Sequence, residues 1–245
     1  MIWDQIIDKV TRYIVKIETP TGYGTGFLCL YNQDKTICGI ATALHVVSHA
    51  NEWHQPIRIR HWTSKEVAFL RENERSILVD WKTDSAVIIF TTGRLALPEE
   101  APLLYTGTPI SIGVEVGWLG FPAIESWTLC FFSGNVSAWQ DHRKAYLIDG
   151  VAINGVSGGP VVYSTKSEGA QIVGAISAYQ ANRATGEALP GLSVAQDVSH
   201  FHDVINHVRS IDEADSKKEE FEKSRRRESE QKPLADESKR EESVE

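Results

Sequence analysis

Apolar side chains at the start of the chain recur every three or four residues, at Ile2, Trp3, Ile6, Ile7, Val10 and Ile14. That is the stripe of an amphipathic helix. At Tyr13-Ile14-Val15-Lys16-Ile17 the period changes to that of a strand. From there to about residue 196 the chain reads as short runs rich in β-branched and aromatic side chains, including 25–30, 37–42, 57–59, 87–90, 126–132 and 172–176, separated by turn residues. Many short strands broken by turns predict an all-β sandwich or barrel. The pattern lapses at Leu97-Pro98-Glu99-Glu100-Ala101-Pro102, where two prolines and two acids mark a linker between two β lobes, about 13–97 and 103–196. Val198, Phe201, Val204, Ile205, Val208 and Ile211 then lie on one face of a helix over 197–211 that Asp197 can cap. Residues 212–245 carry 13 acidic and 9 basic side chains and almost no large apolar ones. Such a segment has no core of its own and is expected to be a solvated tail, disordered or helical. No internal repeat is present.

Composition narrows the function classes. A chain of 245 residues with 42% hydrophobic content can bury a sizeable core. A formal net charge of −8 opposes non-specific nucleic-acid binding, which depends on clustered cations neutralising phosphates. No apolar run is long enough to span a bilayer, and Met1-Ile2-Trp3-Asp4 lacks the basic flank and apolar stretch of a signal peptide, so a cytoplasmic protein is expected. Cys29, Cys38 and Cys130 are odd in number and lack metal-like spacing, which predicts buried free thiols. His45 and His49 are four apart, but no glutamate follows His45 and no third ligand presents itself. Tyr23-Gly24-Thr25-Gly26 precedes no helix N-terminus and reads as a turn, not a phosphate cradle. No metal and no cofactor are expected.

One stretch carries chemistry. In Asn154-Gly155-Val156-Ser157-Gly158-Gly159-Pro160 a serine stands among three glycines and a proline, the composition of a tight exposed turn. Within it the N–H groups of Gly155 and Ser157 can converge on one oxyanion. A serine hydroxyl is a weak nucleophile until a base takes its proton, and that base is best a neutral imidazole held by a carboxylate. His45, where Ala41-Thr42-Ala43-Leu44 ends a strand, is the best base. Asp84, abutting the apolar strand Ser85-Ala86-Val87-Ile88-Ile89-Phe90, is the best orienter, and Asp80, which abuts no strand, is the weaker choice.

Taken together, Thr25-Gly26-Phe27-Leu28, the Thr-Ala-Leu-His stretch at His45, Thr83-Asp84-Ser85-Ala86-Val87 and Gly155-Val156-Ser157-Gly158-Gly159-Pro160 resemble the trypsin-like serine protease superfamily, in its order of histidine, aspartate and serine. Gly117-Trp118-Leu119-Gly120-Phe121-Pro122, Gly134-Asn135-Val136-Ser137, Ala152-Ile153-Asn154 and Gly191-Leu192-Ser193-Val194-Ala195 narrow the resemblance to the HtrA/DegP-type protease domain, over roughly residues 10 to 210. The resemblance implies two six-stranded β-barrels with His45, Asp84 and Ser157 in the cleft between them. It implies a serine endopeptidase acting on protein or peptide substrates through an acyl-enzyme. Carried over residue by residue, it makes Val151, Ser177, Ala178, Tyr179 and Ser193 the substrate pocket. These are uncharged, so a small or medium apolar side chain is expected before the scissile bond.

The chain departs from that pattern in three ways. No PDZ-like domain follows, only the charged tail, a candidate attachment for a regulatory partner. The loop before Ser157 is one residue shorter than usual. Val156 stands where secreted zymogens carry the aspartate that pairs with a freed N-terminus, so activation by N-terminal cleavage is not expected. Two rival readings follow from the residues. Gly155-Val156-Ser157-Gly158-Gly159 also satisfies the α/β-hydrolase elbow, but Pro160-Val161-Val162-Tyr163 reads as a strand where that fold needs a helix. The other is a catalytically silent protease-like binding or scaffold module.

Overall fold

The computed structural model describes residues 3–93, 95, 97–98, 102–103, 109–165, 169–181 and 188–241. Helix α1 (Trp3–Val10) follows the amphipathic stripe and buries Ile6 and Val10. Its Trp3 indole N–H donates to Glu115 Oε1 at 2.9 Å, and its ring packs on Phe131 with centroids 5.1 Å apart. One 3-10 turn, Thr11–Tyr13, then leads into the first strand.

The first lobe contains β1 (Ile14–Thr19), β2 (Gly22–Tyr31), β3 (Ile37–Ala43), β4 (Ile57–His61), β5 (Val67–Leu70), β6 (Arg75–Asp80) and β7 (Ser85–Thr91), with helix α2 (Leu44–Glu52) between β3 and β4. These strands pair antiparallel in the order β5-β4-β1-β2-β3-β7-β6. Val15, Ile17, Leu28, Ile40, Ile57, Ile59 and Ile88 fill the core of the sheet, and Leu44 and Val47 of α2 pack on it. Two lobes were expected and two are present. The first is a half-barrel, a curled seven-stranded sheet with β5 and β6 at its ends, which fits the expected double-barrel fold. The short β5 is the apolar run Val67-Ala68-Phe69-Leu70, and its Val67 and Phe69 are exposed.

The second lobe is a closed barrel. Strands β8 (Glu115–Gly120), β9 (Cys130–Gln140), β10 (Ala145–Asp149), β11 (Pro160–Thr165), β12 (Gly169–Ala181) and β13 (Ala188–Asp197) join in the order β10-β13-β12-β11-β8-β9. Trp118, Val136, Tyr146, Ile148, Val161 and Val173 fill its interior. The strand expected over 126–132 begins only at Cys130. Before it the chain turns, with Glu125 N–H donating to Pro122 O and Thr128 N–H to Glu125 O, and Trp127 is exposed. Residues 99–101 of the 97–102 linker lie outside the described residues.

Helix α3 (Ser199–Glu241) starts where Asp197 Oδ1 accepts the Ser199 N–H at 3.1 Å and Oδ2 accepts the Ser199 hydroxyl at 2.7 Å. Phe201 is fully buried and meets Phe27 edge to face. The helix does not end at 211 as its apolar stripe suggests. It runs on through the charged segment, where the i,i+4 pair Glu219–Lys223 joins neighbouring turns. Residues Met1–Ile205 form one compact unit and Asn206–Glu245 another. Among the described residues no helix is long and apolar enough to cross a membrane.

All three cysteines are free thiols. Burial pushes the Cys29 thiol far above its usual pKa, and pushes Cys38 up to about 12. Burial and the neighbouring Glu125 raise Cys130 as well, but only Cys130 has substantial solvent access. Because the thiolate is the reacting species, alkylation of the native protein at mildly basic pH is expected at Cys130 first, with Cys29 and Cys38 modified only on unfolding. Peptide mapping after timed iodoacetamide treatment checks this order.

Candidate active site

The β3–β7 register sets Ala43 against Ser85, so the residue before β7 arrives beside the start of α2. That residue is Asp84. Its carbonyl accepts the Leu44 N–H at 2.9 Å and its Oδ1 accepts the His45 N–H at 3.0 Å. Asp84 thereby caps a helix whose own N-cap residue, Ala43, has no side chain able to do so. It adopts φ +49°, a left-handed conformation that aspartate tolerates better than most residues. Its second oxygen, Oδ2, lies 2.8 Å from His45 Nδ1 and also accepts the Ser177 hydroxyl at 2.6 Å. A carboxylate on Nδ1 places the ring proton there and leaves Nε2 as the acceptor.

Asp80 serves a different end. It accepts the Lys82 N–H at 2.8 Å and the Thr83 hydroxyl at 2.9 Å. Partial burial pushes its carboxyl up, but these hydrogen bonds outweigh that and hold it below the usual range. It closes the turn that presents Asp84.

The serine turn is tied into both lobes. Within it, Val156 N–H donates to Ile153 O and Gly159 N–H to Val156 O, while Gly158 N–H donates to Ile176 O on β12. From the first lobe, Thr25 donates its N–H to Ser157 O at 2.8 Å and its hydroxyl to Gly155 O at 2.9 Å, while Thr25 Oγ1 accepts the Phe121 N–H. Gly155 and Gly158 have φ +91° and +81°. A Cβ on Gly158 would strike the Thr25 carbonyl and the Thr42 hydroxyl, so only glycine fits there. Val156 is fully buried among the barrel residues, which leaves Ser157 half-buried at the turn's surface.

The peptide between Asn154 and Gly155 is oriented as well. Its carbonyl accepts the Ala123 N–H at 2.7 Å. A trans peptide points its N–H the opposite way, so the Gly155 N–H faces away from Ala123. Neither this amide nor that of Ser157 donates to an acceptor among the described residues.

His45, Asp84, Ser157 and Ser177 line one pocket of about 300 Å³, together with Ala152, Ile153, Asn154 and Ile176. Among the described residues no hydrogen bond joins Ser157 to His45. The other sequence-predicted positions fall elsewhere. Val151 is half exposed and outside this pocket, whose apolar wall is instead Ala152, Ile153 and Ile176. Ser193 is buried and donates to Gly150 O at 2.6 Å. Ala178 and Tyr179 belong to β12, and their side chains lie outside the described residues. Ser177 does line the pocket, but its hydroxyl is directed to the Asp84 carboxylate. The Ala152-Ile153-Asn154 segment was visible in the sequence as part of the family pattern. Ile176 left no signal, because only the pairing of β12 with the serine turn puts it there.

A closed six-stranded barrel beside a curled sheet, with this ordering of elements, is the fold of the trypsin-like serine proteases. Solved structures of such enzymes share it. The serine endoprotease from Yersinia pestis superposes with a TM-score of 0.62 at 20% identity, over 85% of this chain and 66% of that one. Deg5 gives 0.59 at 18% identity over 82% and 90%. The inactive form of Rv3671c from M. tuberculosis H37Rv, carrying a serine-to-alanine mutation, gives 0.56 at 16% identity over 82% and 90%. No protein-family model matches the sequence. No curated protein matches it either. Similarity at these identities establishes the fold.

Proposed function

We propose that the protein is a serine endopeptidase with Ser157 as nucleophile, His45 as general base and acid, and Asp84 as the group that orients His45. The observation that carries this reading is the Asp84 carboxylate bound to His45 Nδ1 in the pocket that also contains Ser157. With Nδ1 occupied, Nε2 is the nitrogen available to take the Ser157 proton as Oγ attacks a peptide carbonyl. The new C–O bond pushes the carbonyl electrons onto oxygen, and the Gly155 and Ser157 amides are the donors for that oxyanion. Collapse expels the amine, which takes the proton from His45, and leaves an acyl-enzyme. Water then repeats the sequence and frees the acid. The pocket wall of Ala152, Ile153 and Ile176 favours a small or medium apolar side chain before the scissile bond, since an unpaired cation would be costly to bury there.

Ordering of this turn does not call for an N-terminal ammonium. Val156 offers it no carboxylate, and Thr25 and Ala123 already hold the turn. The reading is tested by treating the full chain with a fluorophosphonate and weighing it intact. One adduct on the unprocessed chain, mapped to Ser157, is expected. A folded wild-type chain that never labels would favour the silent scaffold instead.

Ser177 is proposed as a positioning residue. Removing its hydroxyl takes one charge-assisted hydrogen bond from Asp84, so Ser177→Ala is expected to lower kcat about tenfold with KM little changed. Steady-state kinetics on a peptide substrate, with Ser177→Thr expected to restore part of the loss, separates this from a folding defect.

A further inference from the structure

A second cavity, of about 170 Å³, is lined by Lys16, Arg60, Trp62, Lys65, Phe121 and Trp127. Three cations and three aromatic rings form its walls, and no carboxylate does. Two of those cations come from adjacent strands in direct register, Lys16 on β1 opposite Arg60 on β4. Like charges directly opposite across a strand pair destabilise a sheet. Glu18, the acid paired with Lys16, is shared with Arg58. Glu18 Oε1 stands 3.8 Å from Lys16 Nζ, beyond hydrogen-bond reach, and its other oxygen is 3.7 Å from Arg58.

Lys16 is nonetheless almost fully buried, and that burial pulls its ammonium below the usual range against the opposing pull of Glu18. Its Nζ lies 4.1 Å from the Trp127 ring centroid and 4.6 Å from that of Tyr23. Arg60 sits 5.8 Å from the Trp127 centroid, and its Nε is buried without a hydrogen-bond partner among the described residues. Lys65 Nζ lies 3.4 Å over Trp62. Ring faces satisfy part of a cation's demand for negative potential, but they accept no strong hydrogen bond. What would complete these groups is an anionic acceptor.

We propose that this cavity binds the carboxylate side chain of an acidic peptide. The volume is that of one side chain. A carboxylate can meet Arg60 and the two lysines with charge-assisted hydrogen bonds while its methylene stem lies against Trp62, Phe121 and Trp127. A bare hydrated phosphate uses the cations but gains nothing from the rings. A nucleic acid needs an extended basic surface, which a net charge of −8 opposes. The cavity also borders the serine turn. Tyr23 and the Phe121 carbonyl both abut Gly155, where a Cβ would collide with them. Phe121 is thus shared between the cavity wall and the surroundings of Gly155.

Binding is independent of turnover, so it is measured on the full chain carrying Ser157→Ala. The probes are a short blocked peptide with one glutamate beside an apolar residue, the same peptide with glutamine, and inorganic phosphate. Calorimetry and quenching of tryptophan fluorescence are the readouts. The glutamate peptide is expected to bind at least about tenfold more tightly than the glutamine peptide, with affinity falling as salt is added. Lys65→Met, at an exposed position, and Arg60→Met should each erase most of that preference. Equal affinity for the two peptides, phosphate binding as tight as the glutamate peptide, or a preference that survives Lys65→Met in a variant that melts like the parent would each overturn the proposal.

Discussion

Ser157→Ala is expected to abolish fluorophosphonate labelling and to lower kcat about a millionfold, leaving only what binding and the oxyanion donors supply. Alanine removes the Oγ that must form the acyl bond, and no other hydroxyl can replace it. Ser177, the other serine of the pocket, has its hydroxyl engaged with Asp84. The fold should survive. The turn is held by backbone bonds from Thr25, Ile153 and Ile176 that do not involve the Ser157 side chain, and Val156 beneath it is untouched. The measurement is a paired one, labelling plus peptide cleavage on a variant whose thermal transition matches the parent. Wild-type cleavage by the folded variant would refute the assignment of the nucleophile.

Asp84→Asn should cost roughly four orders of magnitude in kcat while leaving the protein folded. Asparagine can still accept the His45 N–H on its oxygen, and its backbone carbonyl still accepts the Leu44 N–H, so the start of α2 stays capped. The change falls on the other side-chain atom. Where Asp84 Oδ2 accepted from His45 Nδ1 and from the Ser177 hydroxyl, an amide NH₂ donates. The imidazole must then present a bare Nδ1 and carry its proton on Nε2, which is the wrong tautomer for taking a proton from Ser157. A near-parental melting temperature with a collapsed kcat is the expected signature. Parental turnover would show that Asp84 does not orient the base, and Asp80 would not inherit that role because its carboxylate is bound to Lys82 and Thr83.

The residues proposed to act on substrate were all legible in the sequence for one reason: each leaves a local mark. A nucleophile on a turn with φ +91° and +81° needs glycine on both sides, and those glycines are in the chain for anyone to read. A base at the junction of strand and helix, and an acid just ahead of an apolar strand, show where the hydrophobic period changes. The second barrel was likewise announced by its alternating runs.

What tertiary structure alone decided are relations between segments far apart in the chain, because a sheet pairs strands without regard to their separation in sequence. The short strand at 67–70 joins the first lobe through pairing with β4, and no apolar alternation of its own announces it. Ser177 reaches Asp84 across 93 residues, and Ile176 enters the pocket through its backbone bonds to the serine turn. The cation-lined cavity draws on β1, β4, the turn after β4 and the segment after β8, so neither its charge nor its aromatic walls form a motif in any one stretch. The helix past residue 211 left no apolar period to read, and the charged pair Glu219–Lys223 spans neighbouring turns there. Local backbone demands are written residue by residue, whereas the neighbours that tune a side chain depend on register, which exists only once the strands have paired.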